Sequence, residues 1–138
     1  MRRRLLLRIA AGLALLTCLA HLAGTFMEIP PEQTAVLEAV EVMEETMVPM
    51  PVGSAKSYKQ ILDGNNLSTA LLLLLCSLLL FAASGSPKDA ATDRTILLAA
   101  LGLIGFAVLS IMYFFPVPAV STGVAAVLAL IARSNSDR

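Results

Sequence analysis

Residues 67–83 read LSTALLLLLCSLLLFAA, a stretch without a single charged side chain. A helix needs about 20 predominantly apolar residues to cross the hydrocarbon core of a bilayer. The regular alternation of apolar and polar residues that a membrane β-barrel requires is absent here. Because backbone polar groups in lipid have to bond to one another, this stretch predicts a transmembrane α-helix.

Three further stretches repeat this pattern, at about residues 5–27, 95–115 and 117–132. The composition agrees, since 57% of the 138 residues are apolar and only 14% are charged. Soluble domains are nearer 45–50% apolar, so an ordinary globular enzyme is disfavoured. We therefore predict an all-α fold, a four-helix transmembrane bundle that forms a single membrane domain over residues 1–138.

Basic residues are distributed unevenly about the four predicted spans. Only Lys56 and Lys59 fall between spans one and two. The other eight lie at the opposite ends of the spans: Arg2, Arg3, Arg4, Arg8, Lys88, Arg94, Arg133 and Arg138. By the positive-inside rule, both termini are predicted to be cytoplasmic and residues 28–66 to face outward. The first span also resembles a signal peptide, but its apolar stretch continues to Met27, which favours an uncleaved anchor.

The outward segment contains a predicted amphipathic helix between Pro31 and Met47, ended by Pro49 and Pro51. Glutamates at 38, 41 and 45 lie on one face of this helix. Its other face carries the apolar residues Val36, Leu37, Val40, Met43 and Met47. Because the helix is acidic, we expect its apolar face to dock on protein rather than on anionic lipid head groups.

Methionines in the same segment admit two interpretations. Thioethers are ligands that suit Cu(I), and the spacing of Met43, Met47 and Met50 allows their sulfur atoms to approach one another. Methionine is equally a flexible side chain that fills an amphipathic face. Packing is the preferred interpretation, and copper binding is the alternative.

Polar residues converge on the outward ends of the spans. Along span one, spacings of three and four place Ala10, Ala14, Thr17, His21, Gly24 and Glu28 in one stripe that is expected to face the bundle. Span two adds Asn65 and Thr69, and span three adds Tyr113. We predict a polar pocket formed by Thr17, His21, Glu28, Asn65, Thr69 and Tyr113. His21 either orients a ligand or accepts a proton there, or it bonds across helices and stabilises the bundle.

Sequence motifs of enzymes and cofactor binding are missing. There is no Walker loop, G-x-S-x-G, H-E-x-x-H, CxxC or dinucleotide fingerprint. One histidine and two cysteines are too few for a Cys/His zinc site. Ten basic and ten acidic residues leave no basic excess for nucleic acid. We expect no catalytic residue, metal or cofactor, and no nucleic-acid partner.

Two classes of function are consistent with these features. The first is a non-enzymatic bundle in the lipid bilayer that binds a lipid, another membrane protein or a second copy of this chain. The second is a small transport or copper-handling membrane protein that uses the outer polar cavity or the methionines. The first is preferred, because mid-membrane charges that would mark an ion pathway are absent from the sequence.

Two blocks of residues add a family resemblance. The first contains His21, then Gly24-Thr25-Phe26, then Pro30-Pro31-Glu32-Gln33; the second contains Ser57-Tyr58 and Asp63-Gly64. In this order the blocks resemble a family of small, uncharacterised bacterial four-helix integral membrane proteins, over roughly residues 20–83. The chain departs from the family at Lys59–Leu62 and at Asn65-Asn66, where the family has aromatic residues. The resemblance implies the bacterial cytoplasmic (inner) membrane and no established activity.

Overall fold

The structure, a computed structural model, describes residues 2–113 and 116–135. Its elements, in chain order, are α1 (Arg2–Phe26), α2 (Thr34–Glu45), β1 (Met47–Val48), β2 (Lys56–Ser57), α3 (Tyr58–Gly85), α4 (Ala90–Tyr113) and α5 (Pro116–Ser134). The helices α1, α3, α4 and α5 are long and apolar enough to cross a membrane. The predicted all-α four-helix bundle is confirmed.

The four long helices form a ring in which α1 packs on α3 and α5, and α4 packs on the same two helices. Helices α1 and α3 are antiparallel, because Cys18 contacts Ala70 whereas Ala11 contacts Ser77. The end of the bundle that carries residues 2 and 135 is called the terminal end. The opposite end, which carries α2 and the β1–β2 hairpin, is called the hairpin end.

Most of the basic residues lie at the terminal end. There Arg3 Nη1 donates a hydrogen bond to Ser86 O at 3.2 Å, and Lys88 Nζ donates one to Asn135 O at 2.9 Å. The first bond links the start of α1 to the end of α3, and the second links the α3–α4 connection to the end of α5. Arg138, one of the eight basic residues named above, lies outside the described residues, as do residues 114 and 115 at the end of the predicted third span.

Small side chains dominate the core. Ala10 and Ala14 of α1 and Ala125 and Ala129 of α5 are each fully buried. Such residues allow helix backbones to approach closely, which is how helices associate in lipid. Two bonds between α1 and α3 reinforce this packing. Cys18 Sγ donates to Ala70 O at 3.2 Å, and Ser77 Oγ donates to Ala11 O at 2.9 Å.

The predicted second span, residues 67–83, begins too late, since α3 starts at Tyr58. A capping box starts the helix. Ser57 Oγ accepts from Gln60 N at 3.2 Å, and Gln60 Oε1 accepts from Ser57 N at 3.1 Å. An ion pair of Lys59 with Asp63 at 2.6 Å, one turn apart, supports the first turns. Residues 58–66, predicted to belong to the outward connection, are therefore helical.

The other three spans differ from prediction only at their ends. Helix α1 covers Arg2–Phe26 instead of 5–27, and α5 covers Pro116–Ser134 instead of 117–132. Helix α4 begins at Ala90 instead of residue 95, and the predicted end of this span at residue 115 lies outside the described residues. Helix α4 begins early because Asp89 Oδ1 accepts a hydrogen bond from Thr92 N at 2.7 Å. Polar first turns of this kind extend a helix beyond its apolar part.

The predicted amphipathic helix between Pro31 and Met47 exists but is shorter at both ends, as α2 covers Thr34–Glu45. Met47 belongs to β1, where it pairs with Ser57 in an antiparallel hairpin. The prolines therefore lie in the loop of this hairpin and do not end the helix. Gly53, with φ of 89°, occupies a left-handed conformation in the same loop.

Candidate functional site

A cavity of about 440 Å³ lies in the hairpin-end half of the bundle. We call it the bundle cavity. Helix α1 lines it with Leu16, Thr17, Ala20, His21, Gly24 and Thr25. The remaining walls are Asn66 of α3, Phe106 and Ser110 of α4, and Val117, Pro118 and Ser121 of α5. Its volume falls within the roughly 300–1,000 Å³ typical of small-molecule sites.

Two adjacent rows of α1 side chains form one wall of this cavity. The spacing of four residues within each row follows from the helical period. The inner row is Thr17, His21 and Thr25, of which Thr17 is buried and the other two are half-buried. The outer row is Leu16, Ala20 and Gly24, all exposed on the side of the bundle. The bundle cavity therefore opens laterally, along the side of α1.

Side chains in the outer row become smaller towards the hairpin end, from leucine to alanine to glycine. A Cβ atom added at Gly24 would meet nothing within 4 Å. Across the opening, Val117 of α5 lines the cavity while 69% exposed, and Leu16 does so while 61% exposed. Apolar side chains on the outer surface thus border the opening.

Hydroxyl groups form the closed end of the bundle cavity. Thr17 Oγ1 and Ser121 Oγ lie 2.8 Å apart, between α1 and α5. Each hydroxyl also has a carbonyl acceptor in its own helix, since Thr17 Oγ1 lies 2.9 Å from Leu13 O and Ser121 Oγ lies 3.0 Å from Pro118 O. Either hydroxyl can therefore donate to the other. This contact links α1 to α5 at a defined register, with Thr17 level with Ser121.

Two other polar side chains lining the cavity have buried atoms without a hydrogen-bond partner among residues 2–113 and 116–135. They are Ser110 Oγ and His21 Nε2. Ser110 is 0% exposed. Leaving a buried donor or acceptor unbonded costs about 1–3 kcal/mol. The wall of the bundle cavity therefore contains one fully buried hydroxyl whose hydrogen-bonding capacity is not used within the described residues.

A second cavity, of about 540 Å³, lies at the hairpin end and is called the rim cavity. Gly24, Thr25 and Asn66 line both cavities, so the two are adjoining. The remaining residues of the rim cavity are Met27, Glu28, Ile29, Leu37, Lys59 and Asp63. Three of these are charged, whereas the bundle cavity is lined by no Asp, Glu, Lys or Arg within the described part of the chain.

The structure brings together only some of the residues of the predicted polar pocket. Thr17 and His21 line the bundle cavity. Glu28 lines the adjoining rim cavity, but it is exposed and lies beyond the end of α1 at Phe26. The predicted stripe therefore stops at the helix end, and the idea that Glu28 continues it as part of the helix was wrong.

Asn65, Thr69 and Tyr113 line neither cavity. Asn65 is exposed, and its neighbour Asn66 points to both cavities instead, because consecutive helical residues differ by about 100° in direction. Thr69 Oγ1 donates to Asn65 O at 3.0 Å within its own helix. Tyr113 is 72% exposed on the side of α4. The prediction used only the depth of these three residues along the helices. Depth does not determine how a helix is rotated about its own axis, so the directions of the side chains were wrong.

Four polar residues line the bundle cavity that were not in the predicted pocket: Thr25, Asn66, Ser110 and Ser121. Ser110 is the most deeply buried of these. Ser110 lies within an otherwise apolar part of α4, after the run Leu103–Leu109, and a hydroxyl in such a position was an available signal. Phe106, one turn earlier, lines the same cavity. Both face inward because α4 packs against α5 and α3 on that side.

The methionines of the copper hypothesis lie on different elements. Met43 is near the end of α2, Met47 is on β1, and Met50 is in the hairpin loop. Within residues 2–113 and 116–135, no group of three or more His, Cys, Asp or Glu side chains is placed to hold a metal ion. Copper binding by the methionines stays a prediction.

Comparison of the chain with protein-family models, with curated proteins and with solved structures found no match. The resemblance to small bacterial four-helix membrane proteins therefore stays a prediction. Its residue blocks do have definite places in the fold. Gly24 and Thr25 line both cavities, Ser57 caps α3, and Gly64 lies inside α3 rather than at its entry.

Proposed function

We propose that this chain is a non-enzymatic, multi-pass membrane protein that binds the hydrocarbon chain of a lipid in the bundle cavity. One observation carries the proposal. Leu16 and Val117 border the cavity and are also exposed on the side of the bundle. In a membrane that side faces acyl chains, so a lipid can reach the cavity without first entering water.

The walls of the cavity suit such a ligand. Most of the lining is apolar, with Leu16, Ala20, Phe106 and Val117 among its residues. Six of the twelve lining residues carry a polar side chain, and such groups can orient a mainly apolar ligand. The free hydroxyl of Ser110 is suited to donate to an ester carbonyl or hydroxyl oxygen of the lipid.

The proposal includes an orientation in the membrane. Basic residues at the terminal end support placing that end, and with it both termini, on the cytoplasmic side. The bundle cavity then lies in the outer leaflet, and the hairpin end faces outward. The family resemblance supports the bacterial cytoplasmic membrane as the location.

Lipid retention tests this function directly. The full chain would be purified in mild detergent, and bound lipid would be quantified by mass spectrometry. Ala20→Phe places a ring in the cavity, whereas Ala23→Phe makes the same change on α1 at an exposed residue that does not line it. We expect Ala20→Phe to lose most of the bound lipid and Ala23→Phe to retain it. Equal retention by both variants, or no lipid on the unmodified chain, would refute the proposal.

A further inference from the structure

The two cavities differ in the chemistry of their walls. Charged residues line only the rim cavity, and the bundle cavity beneath it is largely apolar. Since Gly24, Thr25 and Asn66 belong to both, one molecule can occupy the two cavities together. A molecule that matches this arrangement has a polar head and an apolar chain.

The length of the bundle cavity fits one leaflet. Its α1 wall extends from Leu16 to Thr25, which is roughly 13 Å of helical rise. Half of a bilayer's hydrocarbon core is about 15 Å thick. A lipid chain in the cavity would therefore place its head group near the rim cavity, without displacement from its usual depth.

Charges in the rim cavity select among head groups. Lys59 Nζ and Asp63 Oδ2 form an ion pair at 2.6 Å. Glu28 forms no ion pair within 4.0 Å among the residues that the structure describes. Two carboxylates and one ammonium give the cavity a formal charge of −1. A purely anionic head group is repelled by this excess, whereas a zwitterionic one finds groups of both signs.

We propose that the lipid is zwitterionic and carries a primary ammonium group, which Glu28 binds in the rim cavity while Lys59 contacts the phosphate. This inference rests on the proposed function and adds the class of head group. An ammonium has three donors, and hydrogen bonds between charged groups are stronger than neutral ones. Lys59 uses one donor on Asp63 and has others for phosphate oxygens.

Competition between two lipids tests the inference. The full chain would be reconstituted in vesicles of equimolar phosphatidylethanolamine and phosphatidylglycerol with identical acyl chains. It would then be extracted in mild detergent, and the ratio of the two retained lipids would be measured by mass spectrometry. We expect phosphatidylethanolamine to be enriched about threefold or more. Glu28→Gln is expected to bring the ratio close to one.

Glu32→Gln is the matched control. Glu32 is an exposed carboxylate of the same connection that does not line the rim cavity, so its loss is expected to leave the enrichment unchanged. Equal shifts in the two variants would refute a specific role for Glu28. Retained lipid without a preference, or with a preference for phosphatidylglycerol, would refute the head-group inference but not the proposed function. No retained lipid at all would refute the proposed function itself.

Discussion

The two halves of α1 differ in packing although they present the same kind of residue to the bundle. Ala10 and Ala14 are fully buried, whereas Gly24, on the same stripe, is exposed. In the half of α1 nearer the terminal end, small residues face α5, which has buried alanines of its own. In the half nearer the hairpin end, small residues leave the space of the cavities. A small side chain produces close packing only where a neighbouring helix is present to approach it.

The length of α5 explains where the difference begins. Thr17 lies level with Ser121, and α5 starts five residues beyond that contact, at Pro116. Helix α1 continues nine residues beyond it, to Phe26. In antiparallel helices this leaves the last four residues of α1, roughly 6 Å of rise, without α5 beside them. The rim cavity and the part of the bundle cavity lined by Gly24 and Thr25 lie beside these last residues, whereas the rest of the bundle cavity lies between α1 and the first turns of α5.

The sharpest contrast comes from the same substitution in each half. Ala14→Leu adds volume where no space exists, and we expect it to destabilise the bundle by about 1–3 kcal/mol. Ala20→Leu adds the same volume beside the bundle cavity and is expected to change stability little. Thermal or denaturant unfolding in detergent measures both. A loss of stability at Ala20 equal to that at Ala14 would contradict the difference in packing.

Removing the hydroxyl of Ser77 or of Ser110 compares a buried hydroxyl that has a hydrogen-bond partner with one that has none in the described residues. Ser77→Ala removes the bond to Ala11 O and is expected to cost about 1 kcal/mol. Ser110→Ala removes a hydroxyl that has no partner within the described residues, so in lipid-free detergent we expect no loss of stability. The same unfolding measurement applies. If Ser110→Ala were the more destabilising variant, its hydroxyl would have a partner that the structure does not contain.

Thr17 and Ser121 mark the boundary between the halves. Their hydroxyls are 2.8 Å apart, and a double-mutant cycle with Thr17→Val and Ser121→Ala isolates the contact. We expect a coupling free energy of about 0.6 kcal/mol, the average for such bonds in membranes. A coupling of zero would show that the register of α1 and α5 does not depend on this pair.

The smallest effect is expected at the terminal end, outside the spans. A hydrogen bond from the backbone of Thr92 holds the pKa of the Asp89 carboxyl below its ordinary value. Because the folded-state pKa is the lower one, the stabilising effect is present above the unfolded-state pKa, about 4, and is lost as pH falls through the folded-state pKa. Asp89→Asn should remove this part of the acid dependence of unfolding. An unchanged pH profile would argue against Asp89 as the cap of α4.

Some of the candidate site followed from the sequence. The spacing of Ala10, Ala14, Thr17 and His21 correctly placed these side chains towards the bundle, because the helical period fixes relative directions along one helix. The same reasoning failed for Asn65 and Tyr113, which lie on other helices. Nothing in the spacing within one helix determines its rotation against another.

What the sequence by itself determined is the number and approximate extent of the spans, since hydropathy belongs to each residue and its neighbours along the chain. The early start of α3 was also present in the sequence, in the capping pair Ser57 and Gln60. The tertiary structure alone decided where the cavities lie. They depend on the register of α1 with α5 and on side chains from four helices, and volumes left between helices are not a property of any one segment.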